Sequence, residues 1–223
     1  FGGELVAFAG AMFGLVVSDN MLVLYVFWEA TTVLSFMLVG FNNVRATSRR
    51  AATQALLVTT FGGLAMLVGI VMLGERTGSY LLSEVVANPP TGVFAQVAAA
   101  LLLIGAMSKS AIVPFHFWLP GAMAAPTPVS AYLHAAAMVK AGIYLVARLA
   151  PGFHEQISWQ LLVVGLGLLT MLLGGWRSLR ELDLKLILAF GTVSQLGFMM
   201  VLVGVGAANV AMAGIAMVIA HAM

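Results

Sequence analysis

The chain has 223 residues, 62% of them hydrophobic and only 8% charged, with a formal net charge of +2 and a mean hydropathy of +1.07. Soluble domains carry about 25% charged residues, so a soluble fold is excluded, and so small a positive balance gives nucleic acid little to hold. With no cysteine, disulfides, thiolate metal sites and thiol catalysis are excluded too.

Apolar stretches of membrane-crossing length recur along the chain. Phe1 to Val17 lacks the basic start and cleavage site of a secretory signal and reads as a span over 3–17. Ser18-Asp19-Asn20 separates it from a second span at 21–41, and the joint 42–52 carries Arg45, Arg49 and Arg50. A third span covers 53–74. The long joint 74–91 contains Asn88-Pro89-Pro90-Thr91-Gly92, punctuation of a loop rather than a helix. Spans at 94–123, 129–147, 159–176, 184–206 and 208–223 follow, with polar joints at 148–158 and 176–183. The expected fold is an all-α polytopic membrane protein of about eight transmembrane helices. Phe1 rather than Met at the start and Met223 inside an apolar stretch read as an internal piece of a longer protein.

Counting crossings, with 94–123 as one span and 129–147 as the next, places the Arg45/Arg49/Arg50 and Arg177/Arg180 joints on one side. They are the most basic joints, so that side is expected to be cytoplasmic and the membrane the plasma (cell inner) membrane.

The span 94–123 is longer than the hydrocarbon core requires. Pro114 removes the amide that would bond the Ser110 carbonyl, so a break is expected between Lys109 and Pro114. Such breaks persist in a membrane only where protein or a water-filled cavity satisfies the freed groups, and transporters build ion sites there. Carbonyls at the end of the first half-helix would stabilise the Lys109 ammonium. Ala125-Pro126-Thr127-Pro128-Val129-Ser130 reads as a stiff connector.

Glu29, Lys109, His134 and Lys140 lie deep in apolar stretches. A charge at the bilayer centre costs roughly 2.5–3.5 kcal/mol on insertion scales, so such groups face a protein interior or a water path. Glu29 sits mid-span with Thr32 on its helix face, where a hydroxyl or water can meet the carboxylate. The bland alternative is a structural ion pair. Lys109 is too far from either end of its span to snorkel, and a buried lysine can exchange its proton as a carboxylate approaches or retreats. His134 and Lys140, six residues apart, should lie about 120° apart on one helix, facing adjoining sides of one water path. A histidine merely packed against backbone is the ordinary alternative for His134. His116, just past the break, and His221 join the set; His154 reads as an ordinary loop residue. Arg45, Arg49, Arg50, Arg177, Arg180 and Lys185 read as topology determinants. Gly62-Gly63 and Gly165/Gly167 read as close helix packing rather than a nucleotide loop. Nothing suggests a cofactor or a resident metal.

Lys109-Ser110-Ala111, Pro114-Phe115-His116-Phe117-Trp118-Leu119-Pro120-Gly121-Ala122-Met123 and Ala125-Pro126-Thr127-Pro128-Val129-Ser130-Ala131 closely resemble the signature of the proton-translocating antiporter-like membrane subunits. That family is shared by respiratory complex I and Mrp-type Na+/H+ antiporters. The resemblance extends from Asp19-Asn20 and Trp28-Glu29 through Leu184-Lys185 to Gln195-Leu196-Gly197 and His221. His116, Lys140 in Met138-Val139-Lys140-Ala141-Gly142, and Phe61-Gly62-Gly63-Leu64-Ala65 most resemble the A-type subunit of Mrp antiporters. The resemblance implies two inverted five-helix repeats, with residues 1–150 the first and 151–223 the start of the second. It implies Glu29 as ion-pair carboxylate, Lys109 as broken-helix lysine, and His134 and Lys140 as groups of a central hydrophilic axis. His116 matches the post-break histidine and His221 the start of the second repeat's relay. The implied function is Na+(Li+)/H+ antiport driven by the proton motive force, within a complex of other subunits in the lipid bilayer, with H+ and Na+ as the ions moved. The alternatives are the homologous subunit of an NADH-driven complex, a structural scaffold locked by its buried charges, and, without a supporting constellation, a lipid-modifying enzyme.

Overall fold

Local chemistry sets where each helix starts and stops in the computed structural model, which describes residues 2–223; Phe1 lies outside the described residues. Helix α1 is Gly2–Val17. Asn20 starts α2 (Met21–Val39), its side chain accepting from the Leu22 and Val23 amides at 2.9 and 3.3 Å. Helix α3 (Ala46–Thr77) ends at Gly78, whose φ of 73° is the left-handed geometry glycine takes without a Cβ penalty. Then come α4 (Leu82–Ala87) and α5 (Val93–Lys109), short turns through 115–124, and α6 over 127–136. Helix α7 is Lys140–Phe153, α8 Ile157–Ser178, α9 Leu184–Gly204 and α10 Ala208–Ala222. Asp183 caps α9 through the Lys185 and Leu186 amides at 2.8 and 3.2 Å.

Among the described residues there is no strand. Five segments are long and apolar enough to cross a membrane: Met21–Val39, Ala46–Thr77, Thr127–Phe153, Ile157–Ser178 and Leu184–Gly204. Gly2–Val17, Val93–Lys109 and Ala208–Ala222 are shorter apolar helices. This is a polytopic, all-helical membrane protein. Helix α3 packs against α2 and α5, α5 against α7, and α8 against α9. Trp28, Trp118, Trp159, Phe8 and Phe153 fill the interior, and Lys109 is buried among them.

Several joints are shorter than the sequence suggests. Arg49 and Arg50 belong to the first turns of α3 rather than to a loop, and Arg49 folds back onto the Asn43 and Val44 carbonyls at 2.6 and 3.0 Å. No breaker separates Ala46 from the apolar run, so the helix extends beyond it. The joint 74–91 contains α4, because Leu82 and Val85, one turn apart, bury their side chains. Helix α7 runs on through Arg148 and Pro151, the proline falling in its last turn and forgoing the amide bond to the Ala147 carbonyl. Gly167 packs against Val201 and the Gly197 carbonyl, but Gly165 has open space around it and is no packing residue.

Two clasps mark opposite ends of the bundle. Asp19 accepts from the Ser83 amide (3.2 Å) and hydroxyl (2.5 Å) and pairs with Arg148 at 2.9 Å, tying the α1–α2 joint to α4 and α7. At the other end Lys185 donates to the Met123 and Ala125 carbonyls, both at 2.7 Å, and Gln54 of α3 lies beside Gly121.

Candidate functional site

The break expected before Pro114 is present: α5 stops at Lys109. Several of its freed groups find partners, as burial favours. The Ser108 carbonyl accepts from the Trp118 indole at 2.9 Å, Met107 from the Ile112 amide at 3.0 Å and Ile112 from the Phe115 amide at 2.7 Å. The Val113 amide donates to Thr170 Oγ1 of α8 at 2.9 Å. Ala111 is held at φ 51° and wholly buried, a backbone that costs about 1–2 kcal/mol outside glycine and is fixed here by packing.

Lys109 does not turn to its own helix end. Its ammonium donates to the Trp28 carbonyl at 2.6 Å and to Thr31 Oγ1 at 2.7 Å, both on α2, and lies 4.5 Å from the centre of the Trp28 ring. Carbonyl, hydroxyl and indole face are all neutral. Glu29 is the residue after Trp28, yet among the described residues it forms no ion pair with Lys109. The two charges interact across a gap, and Glu29 Oε1 is buried without a hydrogen-bond partner. Thr32 bonds the Trp28 carbonyl at 3.2 Å rather than Glu29. Thr31, which the sequence reading passed over, is the residue that meets the lysine; it shares a helix face with Trp28, three positions back, whose carbonyl holds the same ammonium.

A second interruption, between α6 and α7, has no counterpart in the sequence reading. The Ala137 amide bonds the Tyr132 carbonyl five residues back at 3.0 Å, and Ala137 then leaves helical geometry at φ −127°, ψ −74°. His134 and Lys140 therefore do not share one continuous helix, and the 120° relation fails. Ser110 Oγ of the first break donates to the Val139 carbonyl of the second at 2.6 Å, so the two interruptions brace each other. The Lys140 ammonium donates to the Ala135 carbonyl.

His134 is buried, its Nδ1 3.1 Å from the Ser130 carbonyl and its Nε2 without a partner. It borders a cavity of about 310 Å³ together with Ser130, Thr192, Lys185 and His221. Lys140 borders a different cavity of about 650 Å³, beside Ala136, Ala137, Tyr144 and Arg148. Ala135 connects the two, lining the first cavity while its carbonyl accepts from Lys140 of the second. Trp118 bridges the two halves of the site, its indole nitrogen on Ser108 and its ring 5.9 Å from that of His134. His116 stands apart, with a buried Nδ1 lacking a partner and the charge of Arg177 acting on it. Lys185, taken from the sequence as a topology determinant, turns inward to the cavity; its place two residues after the Asp183 cap was the available signal.

A helical bundle with two interrupted helices and several buried ionisable side chains defines a polytopic membrane protein with a polar interior, a combination that membrane proteins keep for function. Comparison with known proteins narrows it. The family model described as "NADH:quinone oxidoreductase/Mrp antiporter, TM" matches residues 18–223, and the chain belongs to that family. It is 49% identical over 209 residues to the A-type subunit of the Na(+)/H(+) antiporter of Alkalihalophilus pseudofirmus, covering 92% of this chain and 26% of that protein. It is equally similar, 49% over 208 residues, to the A1-type antiporter subunit of Staphylococcus saprophyticus, with 92% and 26% covered. The chain thus spans about a quarter of the length of these relatives. The solved Mrp complex from Dietzia sp. DQ12-45-1b matches all of this chain, and 25% of the matched chain, at 44% identity and a TM-score of 0.95. An archaeal membrane-bound sulfane sulfur reductase shares the fold, with a TM-score of 0.91 at 23% identity over 98% of this chain and 46% of that one.

Proposed function

We propose that this chain is the proton-handling part of the A-type subunit in a multisubunit Na+(Li+)/H+ antiporter, which exports sodium as protons move inward down the proton motive force. The observation that carries this reading is the Lys109 site: a wholly buried lysine held only by neutral groups, at the end of a broken helix, with an unpaired acid nearby. The Thr31 hydroxyl can accept from an ammonium or donate to a neutral amine, so the site tolerates both states of the lysine. Approach of Glu29 favours the protonated lysine. Withdrawal sends the proton by water towards His134, His221 and Lys140, with His116 on a side branch.

The high identity to proteins named as antiporter subunits supports antiport over the NADH-driven alternative. In the same reading about eight helices cross the plasma membrane. Residues 1–150 form one inverted five-helix repeat and 151–223 begin the next, with the Arg45/Arg49/Arg50 and Arg177/Arg180 joints facing the cytoplasm. Other antiporter subunits complete the path.

The test is Na+-driven proton movement in vesicles carrying the intact complex. Glu29→Ala and Lys109→Ala should abolish antiport while the complex still assembles. Lys109→Arg should also block it, because arginine keeps its proton; a mere structural lock would tolerate that change. Full antiport in any of the three variants refutes the proposal.

A further inference from the structure

Two adjacent glycines in the middle of α3 stand where α2 and α5 bring Glu29 and Lys109 together. Each glycine costs a helix interior about 1 kcal/mol relative to alanine, so a consecutive pair needs a compensating contact. Successive residues point about 100° apart around a helix, and Gly62 and Gly63 accordingly admit different neighbours. A Cβ on Gly62 would overlap the Ser108 side chain and lie 3.2 Å from the Ile104 carbonyl, both on α5. A Cβ on Gly63 would overlap Glu29 Oε1 and lie 3.1 Å from its Cδ, on α2. Glu29 Oε1 thus rests against bare backbone, and it is this oxygen that is buried without a hydrogen-bond donor.

We propose that Gly63 is a positioning residue for the Glu29 carboxylate, its missing side chain forming the seat that holds the acid unpaired beside Lys109. A hydrogen-bonding side chain at this position would quench the carboxylate, and a methyl group would push it out. Gly62 does a different task, since besides the Ser108 hydroxyl its neighbours are the Ser108 Cβ and the Ile104 carbonyl, which cannot yield. The tip of Glu29 is the flexible end of its side chain, so Gly63→Ala leaves the helices in place and moves the carboxylate. The inference rests on the reading of Glu29 as the acid of the relay.

The experiment uses the intact complex in vesicles, with Gly63→Ala, Glu29→Asp and the double variant. Gly69→Ala, whose Cβ would stand 2.8 Å from the Ala98 carbonyl, reports on ordinary packing loss. Gly63→Ala should assemble, displace the pH profile of antiport, and lower the initial rate by about 10²-fold, the loss that a misplacement near 1 Å produces. The shorter acid in the double variant should regain roughly tenfold over Gly63→Ala alone and restore the pH profile, a size compensation that a packing role does not give. Infrared difference spectra supply a readout apart from transport. The carboxyl band lost in Glu29→Gln should move in Gly63→Ala and stay fixed in Gly69→Ala. Failure of Gly63→Ala to assemble, a wild-type rate and carboxyl band in that variant, or purely additive losses in the double variant would overturn the inference. Normal antiport in Glu29→Gln with a moved band in Gly63→Ala would instead remove the relay and leave the positioning intact.

Discussion

Thr31 gives the sharpest test of how the buried lysine is held. Thr31→Val replaces a hydroxyl by a methyl of nearly the same size in a position with no solvent exposure, so packing changes little. The lost groups are the acceptor 2.7 Å from Lys109 Nζ and the donor 2.7 Å from the Trp28 carbonyl. Of two oxygen partners the ammonium keeps one, the Trp28 carbonyl, with the indole face beneath it. A hydrogen bond to a charged group contributes about 1.5–3 kcal/mol. The neutral amine loses a bond worth about 0.5–1.5 kcal/mol, so removing the hydroxyl disfavours the protonated lysine by about 1–1.5 kcal/mol, a factor of roughly 5 to 12 in the ratio of charged to neutral forms. If antiport uses the protonated lysine, the alkaline limb of its pH–rate profile moves towards acid by roughly one pH unit. Thr31→Ser retains the oxygen and should retain the profile. Initial rates of Na+-driven proton movement, measured across pH in vesicles with matched amounts of assembled complex, read the shift. An unchanged limb in Thr31→Val would refute the view that this hydroxyl sets the lysine's protonation balance.

Two further outcomes follow from contacts away from the relay. The Ser83 hydroxyl, with lesser help from the Ser83 amide and Arg148, holds the Asp19 carboxyl below the ordinary carboxylate range against the opposing effect of burial, which is second in size to the hydroxyl's. A carboxylate whose folded value is lowered stabilises the protein above its unfolded value, near pH 3.9, and loses that contribution as pH falls through the folded value. Melting temperature should therefore decline more steeply below about pH 4 in wild type than in Asp19→Asn, and at neutral pH Asp19→Asn should cost no more than about 1 kcal/mol because the pair is solvent-accessible and screened. Gly142→Ala is the opposite case: its Cβ would overlap the Ala106 carbonyl and Ser110 Oγ, parts of the broken-helix brace with little room to move. It should destabilise by about 1–3 kcal/mol or more, read as a fall in melting temperature and in yield of assembled complex.

The membrane class, the helices and the first break were legible because each has a local cause. Apolar runs and Pro114 act within a few residues of themselves. The second break was not legible, because Ala135-Ala136-Ala137-Met138-Val139 contains no residue that stops a helix. It is braced from outside by the Ser110 hydroxyl on Val139, 29 residues away in sequence, and the Lys140 ammonium on Ala135 is a local bond that no breaker residue announces. For the same reason the sequence named the buried charges and missed what holds them. Thr31, Trp118 and Lys185 act through contacts 78, 10 and 62 residues away.

The partners of Lys109 bear on why a lysine, and not a fixed ion pair, occupies the break. An ion pair in a low-dielectric interior is bound to one charge state, since removing either charge strands the other. Here the ammonium is stabilised by a carbonyl, a hydroxyl and an aromatic face, none of which is left stranded when the proton departs. The Trp28 carbonyl still accepts from Thr32, and the Thr31 hydroxyl either keeps its own bond to that carbonyl or turns to donate to the amine. The cost of deprotonating the lysine is thus limited to hydrogen bonds that reorganise in place. Glu29, held near but unpaired, can then shift the balance by moving a short distance, which makes its location against α3 as consequential as its charge. The bracing of the two interrupted helices through Ser110 and Val139 keeps that geometry rigid around the one side chain that has to move.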